Sequence, residues 1–248
     1  MPPLALRRPL ASLVLLFRSR RWLAGFAIGI GGWVLYVAAL ALAPLSLVQA
    51  TAAGGIALLA ALVGRLTSRE RVAVSVAVGG LVLLGLSLLG GSARSNHGSS
   101  VAVAVWMGVS LGAAAFAAGP LGRGLAGGAG LGIAAGVLYA AGDVGTKAAV
   151  AGGSRLAFVP PLLACHGLAF VALQLGFQRG RALATAGMAT LWTNALPIAA
   201  GTILFAETLP EGVRGVARVA AFACVVVGAA ALARPSSESL TDQSIGLL

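Results

Sequence analysis

Apolar positions along the chain come in uncharged runs of about twenty residues, each bounded by Arg, Gly, Pro or Ser. Runs of that length, wound as helix, span the ~30 Å hydrocarbon core of a bilayer. Eight of them can be marked: Trp22 to Pro44, Ser46 to Gly64, Val72 to Gly91, Val101 to Leu121, Ala129 to Val150, Leu156 to Phe177, Ala182 to Ala206 and Val213 to Ala233. The connections hold only a few residues, too few for an extramembrane domain, so chemistry is expected within the bilayer or at its rim. Nothing alternates with period two, which argues against a β-barrel. The pattern predicts an all-α, polytopic integral membrane protein of about eight transmembrane helices.

Composition sharpens this picture. Of 248 residues 59% are hydrophobic and 9% charged, whereas a soluble domain carries roughly 25% charged residues. Seventeen Lys and Arg against six Asp and Glu give +11. The cations stand singly or in short clusters between long uncharged stretches, the distribution of membrane loops and not of a nucleic-acid binder. Glycine, at 36 residues, has no Gly-X-Y period and points to helices packed closely in lipid. Spacings such as Gly25 to Gly29 and Gly132 to Gly136 match small-xxx-small contacts. Cys165 and Cys224 lie inside apolar runs and read as packing residues.

The first 21 residues combine Arg7, Arg8, Arg18, Arg20 and Arg21 with the apolar stretch Leu10 to Phe17. No small-residue cleavage site follows, so an interfacial basic helix is expected in place of a signal peptide. Residues Pro235 to Leu248 are polar and Ser-rich and read as a disordered tail. With the amino terminus inside, twelve cations face the cytoplasm, including Arg65, Arg69, Arg71, Arg123, Arg179, Arg181 and Arg234, and four face out: Arg94, Arg155, Arg214 and Arg218. That bias predicts both termini in the cytoplasm.

The stretch Leu35 to Glu70 can be laid on Ala172 to Glu207 at a constant offset of 137, with Ala39-Leu40 on Gly176-Phe177 and Glu70 on Glu207. In each copy a helix ends in a hinge, a second helix follows, and a glutamate precedes a third helix rich in Gly and Val. The expected organisation is a basic segment 1–21, a first repeat 22–91, a linker 92–128, a second repeat 129–234 and the tail. Because the helix from Trp22 runs outward and its partner from Leu156 inward, the copies are inverted, the architecture of many secondary transporters with substrate bound near the midplane. The counterpart of Ala129 to Val150 would lie at about positions −8 to 13. A first helix is therefore expected to be missing, by natural shortening or by a start assigned too late, which would make Arg7 to Arg21 a cytoplasmic loop.

Four passages carry a family resemblance: Arg21 to Gly25 (Arg-Trp-Leu-Ala-Gly), Tyr36 to Gln49 with its Ala-Leu-Ala-Leu-Ala-Pro-Leu-Ser-Leu-Val-Gln end, Gly136 to Tyr139 leading to Thr146-Lys147, and Leu204 to Glu207 (Leu-Phe-Ala-Glu). Over residues 20 to 234 the chain resembles the drug/metabolite transporter superfamily, its EamA-like group, near the nine-helix magnesium-transporter-like branch. The resemblance implies a transporter fold and a plasma-membrane location, and it fixes no substrate. The absent first helix departs from that pattern.

Ionisable groups inside a span cost at least about 2.5 to 3.5 kcal/mol at mid-membrane, so each is a site candidate. Asp143 and Lys147 stand four apart, Asp first, the favourable order for a helical ion pair. Asp143 would bind a cationic or proton-coupled substrate, with Lys147 holding it ionised or replacing the substrate in the empty state. A purely structural pair with Lys147 snorkelling to the outer interface fits the same spacing. His166, mid-span, is proton-sensitive or simply hydrogen-bonded between helices. Asn194 with Pro197, which frees the carbonyl around Thr193, marks a helix break that lines a cavity or merely kinks. Gln49 and Gln174, near helix ends, are cavity contacts or interhelical glue. Pro160-Pro161 sits at a helix start, where proline is tolerated. Glu70 and Glu207, beside Arg69, Arg71 and Arg214, read as interfacial anchors.

No HExxH, GxSxG or P-loop is present, and His97 and His166 are not spaced as metal ligands. No catalytic residue, cofactor or metal site is assigned. The expected partners are the lipid bilayer and a small-molecule or ion substrate, without nucleic acid, and homodimerisation stays open. The reading favoured is efflux of a small metabolite or drug-like solute by proton exchange. Its rivals are divalent-cation transport, for which one buried Asp is a poor ligand set, and a non-transporting structural or accessory subunit.

Overall fold

The computed structural model describes residues 20–63, 68–88, 96, 98–125, 127–180, 182–207 and 211–232. Among these are eight α-helices: α1 Arg20–Leu42, α2 Leu45–Val63, α3 Ser68–Leu88, α4 Ser100–Ala118, α5 Ala129–Ala149, α6 Val159–Arg179, α7 Ala182–Leu204 and α8 Val213–Leu232. Two 3-10 turns, Leu121–Gly124 and Gly153–Phe158, lead into α5 and α6. The described residues contain no strand. Each apolar run read from the sequence coincides with one helix, its ends moved by a few residues. The expectations for the basic segment before Arg20, for the polar tail and for the side chain of Glu70 fall outside the described residues.

Among the described residues, four stretches are long and apolar enough to cross a membrane by length and composition: Leu23–Leu42, Ser100–Gly124, Ala129–Ala149 and Gly153–Arg179. The surface agrees with that chemistry. Val101, Val105, Val109 and Phe116 on α4, and Leu163, Leu168, Phe170 and Val171 on α6, are exposed. Large exposed apolar patches of this kind mark surfaces that meet a membrane or a partner.

Contacts divide the chain into Met1–Ala39 and Leu40–Leu248. In the first unit, α1 up to Ala39 is one helix, on which Ile28, Ile30, Trp33, Val34 and Leu35 are exposed. In the second, α5 occupies the centre. It packs against α4, α6 and α7, while α3 and α8 lie along each other and α2 touches α3, α7 and α8.

The central place of α5 follows from its residues. Eighteen of its 21 positions are buried, which only a helix of very small side chains achieves without pushing its neighbours apart. A Cβ on Gly132 would run into the backbone of Thr185, and one on Gly136 would come within 2.7 Å of the Ala189 carbonyl oxygen. The spacing Gly132 to Gly136 therefore marks the α5–α7 contact. Around it Ala134, Ala135, Val137, Leu138, Ala169 and Ala189 form the largest buried cluster described.

At helix ends the sequence explains the local geometry. Pro160 and Pro161 fall in the first turn of α6, where a missing N–H leaves nothing unpaired. Pro44 separates α1 from α2, and its carbonyl accepts the first bond of α2 from Val48 N at 3.1 Å. One charge departs from expectation. Arg218, counted among the four cations facing out, is buried within α8. Its guanidinium donates to Ser87 O at 3.1 Å and Ser87 Oγ at 3.3 Å, at the last turn of α3. A cation at a helix C-terminus meets the negative end of the helix dipole, which offsets its burial.

Candidate functional site

Among the described residues, buried charge collects on and around α5. Asp143 is 6% exposed and Lys147 7%. Both lie on a helix that carries almost no polar side chains, so their surroundings decide what they can do.

The expected Asp143–Lys147 ion pair is not what forms. Asp143 turns to α2 and α6: Gln49 Nε2 donates to Asp143 Oδ2 at 2.7 Å, and His166 Nε2 lies 3.6 Å from Asp143 Oδ1. Lys147 turns instead to the end of α1, where its Nζ donates to the carbonyl oxygens of Leu40 and Ala43, both at 2.7 Å. Each charge is drawn to denser partners than the other could supply. The carboxylate meets an amide and an imidazole, and the ammonium meets two carbonyls at the negative end of a helix. The ammonium thus reaches the turn between α1 and α2.

His166 is held from both sides. Its Nδ1 lies 2.9 Å from Leu162 O, and its ring stands edge-on to Tyr139, centroids 5.8 Å apart and planes at 70°. A carbonyl oxygen can only accept, so Nδ1 carries a proton in this contact. In a neutral imidazole Nε2 is then an acceptor, and it faces Asp143 Oδ1, a second acceptor. The two repel unless one further proton sits on Nε2 or on the carboxyl. The arrangement brings a carboxyl group of α5 and an imidazole of α6 face to face, with Gln49 of α2 bound to the carboxyl group.

Space for the imidazole comes from Gly142, where a Cβ would overlap the His166 ring. Gly142→Ala is thus expected to push the ring off Asp143 while leaving every ionisable group in place. Measured by thermal unfolding, the overpacking should cost on the order of 1–3 kcal/mol. A variant as stable as the parent would show that the ring has room to move.

The other expected residues stand apart. Gln174 lies on an exposed face of α6, away from its buried stripe Leu162, Cys165, Ala169, Ala172 and Gly176. Asn194 is buried, but its Nδ2 donates to Thr190 O of its own helix at 2.7 Å. It does not join Asp143, because a short side chain inside a helix reaches the carbonyl one turn back most easily. Pro197 lies inside α7.

Glu207, expected at the interface beside Arg214, is instead 6% exposed. Its carboxylate accepts from the backbone N–H of Leu45, from Ser46 N at 3.0 Å and from Ser46 Oγ at 2.5 Å. It caps the N-terminus of α2, where a negative charge is favoured. Glu207, Ser46 and Tyr139 are the residues that sequence reasoning left out of the site. A usable signal existed for Glu207: it follows the apolar Leu204-Phe205-Ala206 directly, with Arg214 seven positions away.

A separate cavity of about 330 Å³ lies between α4, α5 and α7. Trp106, Phe116, Ile133, Val137, Trp192 and Leu196 form much of its wall, and Ser110 is the polar exception. The indole N–H groups of Trp106 and Trp192 are buried without an acceptor. Among the described residues no group of three or more His, Cys, Asp or Glu side chains is placed to hold a metal ion. Compared with family models, with curated protein sequences and with solved structures, the chain has no match.

Proposed function

We propose that this protein is a secondary transporter that exports a small metabolite or drug-like solute across the plasma membrane in exchange for protons. The observation that carries the reading is the Asp143–His166 contact, a buried carboxyl group facing a half-buried imidazole at 3.6 Å. Such a pair, held among apolar helices, gives up or regains its proton only when the site meets water or a competing cation. That is the property a proton-exchange site needs. The apolar cavity lies at the lower end of the volume range of small-molecule pockets, which fits a solute with a hydrophobic body.

Helix ends support the duplicated, inverted arrangement. α1 ends at Leu42 and α6 at Arg179, α2 starts at Leu45 and α7 at Ala182, each 137 residues apart. In this reading all eight helices span the bilayer and both termini are cytoplasmic. One buried carboxylate with a histidine and an amide is a poor set for a magnesium ion, which prefers several oxygen ligands.

The test uses purified protein in proteoliposomes with a trapped pH indicator, together with thermal unfolding against magnesium, other divalent cations and a panel of metabolites and amphipathic drugs. A compound that raises the melting temperature, and that dissipates an imposed pH gradient when added, establishes exchange. Stabilisation by magnesium alone would put a cation transporter in its place. No stabilisation and no proton movement with any compound would leave a structural subunit.

A further inference from the structure

The passage from α1 to α2 breaks the helix at Ala43 and Pro44. A break in apolar surroundings strands carbonyls on one side and amides on the other. Pro44 has no N–H to offer. Here the missing partners come from two ionisable side chains far away in sequence. Lys147, from α5, serves the carbonyls of Leu40 and Ala43. Glu207, just past α7, serves the amides of Leu45 and Ser46 and the Ser46 hydroxyl. Each sign matches the helix end it meets, cation at the C-terminus of α1 and anion at the N-terminus of α2.

The delivery of Glu207 is built at a cost. Ala206 has φ +47°, left-handed backbone that a residue with a Cβ adopts only under constraint. The turn is fixed by Asn96 N donating to Phe205 O at 2.8 Å and Glu207 N donating to Gly201 O at 3.1 Å. Phe205 is fully buried beneath it. Gly201 leaves the space that the carboxylate fills, since a Cβ there would overlap it.

A neutral Ser or Asn would cap α2 without the desolvation of a buried ion. What two ions add is a fastening made wholly of hydrogen bonds, which water can take over when the turn is wetted. The fastened turn leads straight to the site. Gln49, one helical turn beyond Leu45, is the residue that holds Asp143.

We infer that Lys147 and Glu207 latch the Ala43–Pro44 turn shut beside the Asp143–His166 site, and that release of this latch admits water to the site from that side of the membrane. The purpose of opening rests on the transport reading. The latch itself is measured without any substrate.

The experiment places a cysteine at Ala43, in a chain carrying Cys165→Ala and Cys224→Ala, and follows its reaction with a membrane-impermeant maleimide in proteoliposomes. Labelling is slow in this parent. It becomes about tenfold faster in Glu207→Gln, the size expected for loss of a charge-assisted hydrogen bond, and stays at the parent rate in Asp143→Asn. Should Glu207→Gln not accumulate as monodisperse protein, Ser46→Ala removes a single donor and is expected to accelerate labelling in the same direction. Rates within twofold of the parent in whichever of these variants folds overturn the latch. Faster labelling in a protein that moves no protons would uphold the latch and defeat the transport reading, so the two fail separately.

Discussion

Asp143→Asn is expected to abolish the proposed proton exchange and to leave the protein as stable as before. The reason lies in the hydrogen-bond count at the site. An asparagine can turn its carbonyl oxygen to Gln49 Nε2 and its amide to His166 Nε2, so both contacts of the carboxylate are kept and no shared proton is needed. The variant is a permanent copy of the protonated state. Proton movement in proteoliposomes is expected to fall to the level of empty vesicles, while the melting temperature stays at or above that of the wild type. Wherever ligand binding depends on pH in the wild type, that dependence should vanish in the variant. Full exchange by Asp143→Asn would remove Asp143 from the mechanism. A large drop in melting temperature would mean that the carboxylate is held by partners other than these two.

Lys147→Met carries the largest expected loss of stability. The substitution keeps length and flexibility but withdraws the donor from the carbonyl oxygens of Leu40 and Ala43 and removes the cation that serves the same turn as Glu207. Breaking a buried charge arrangement by deleting one partner typically costs about 3–5 kcal/mol. For a chain of this size that corresponds to a melting-temperature drop of roughly 10 °C. The double variant Lys147→Met with Glu207→Gln should lose less than the sum of the single changes, since the second removes the charge left uncompensated by the first. Strict additivity would show that the two residues act independently, and would weaken the case for a single latch.

Much of the helical layout was legible before any coordinates. Uninterrupted apolar runs, punctuated by Gly, Pro and Arg, located eight helices because a backbone surrounded by apolar side chains satisfies its own hydrogen bonds only by coiling. Small residues at Gly132 and Gly136 announced a close helix contact. Asp143, Lys147, His166 and Gln49 stood out because polar groups in such runs are expensive, and all four have buried or half-buried partners in the structure.

What the sequence could not supply was the pairing. Asp143 and Lys147, four apart on one helix, suggest each other, yet each found a partner from another helix that approached it more closely than its neighbour along the chain. Gln174 and Asn194 are polar positions in apolar runs like Gln49, but Gln174 lies on an exposed face of α6 and Asn194 donates to Thr190 O of its own helix. Glu207 was misjudged for the opposite reason. Its position at a helix end is visible in sequence, but its burial depends on the strained turn at Ala206 and on the start of α2 arriving opposite.

The sequence by itself determined that the chain is helical and apolar and which few residues cost energy to bury, because those properties belong to single side chains and their spacing. The tertiary structure alone decided that Asp143 faces His166 and that Lys147 and Glu207 meet one turn from opposite sides. Those are relations between residues up to 162 positions apart, and such partners are chosen by how the helices pack and not by where they stand along the chain.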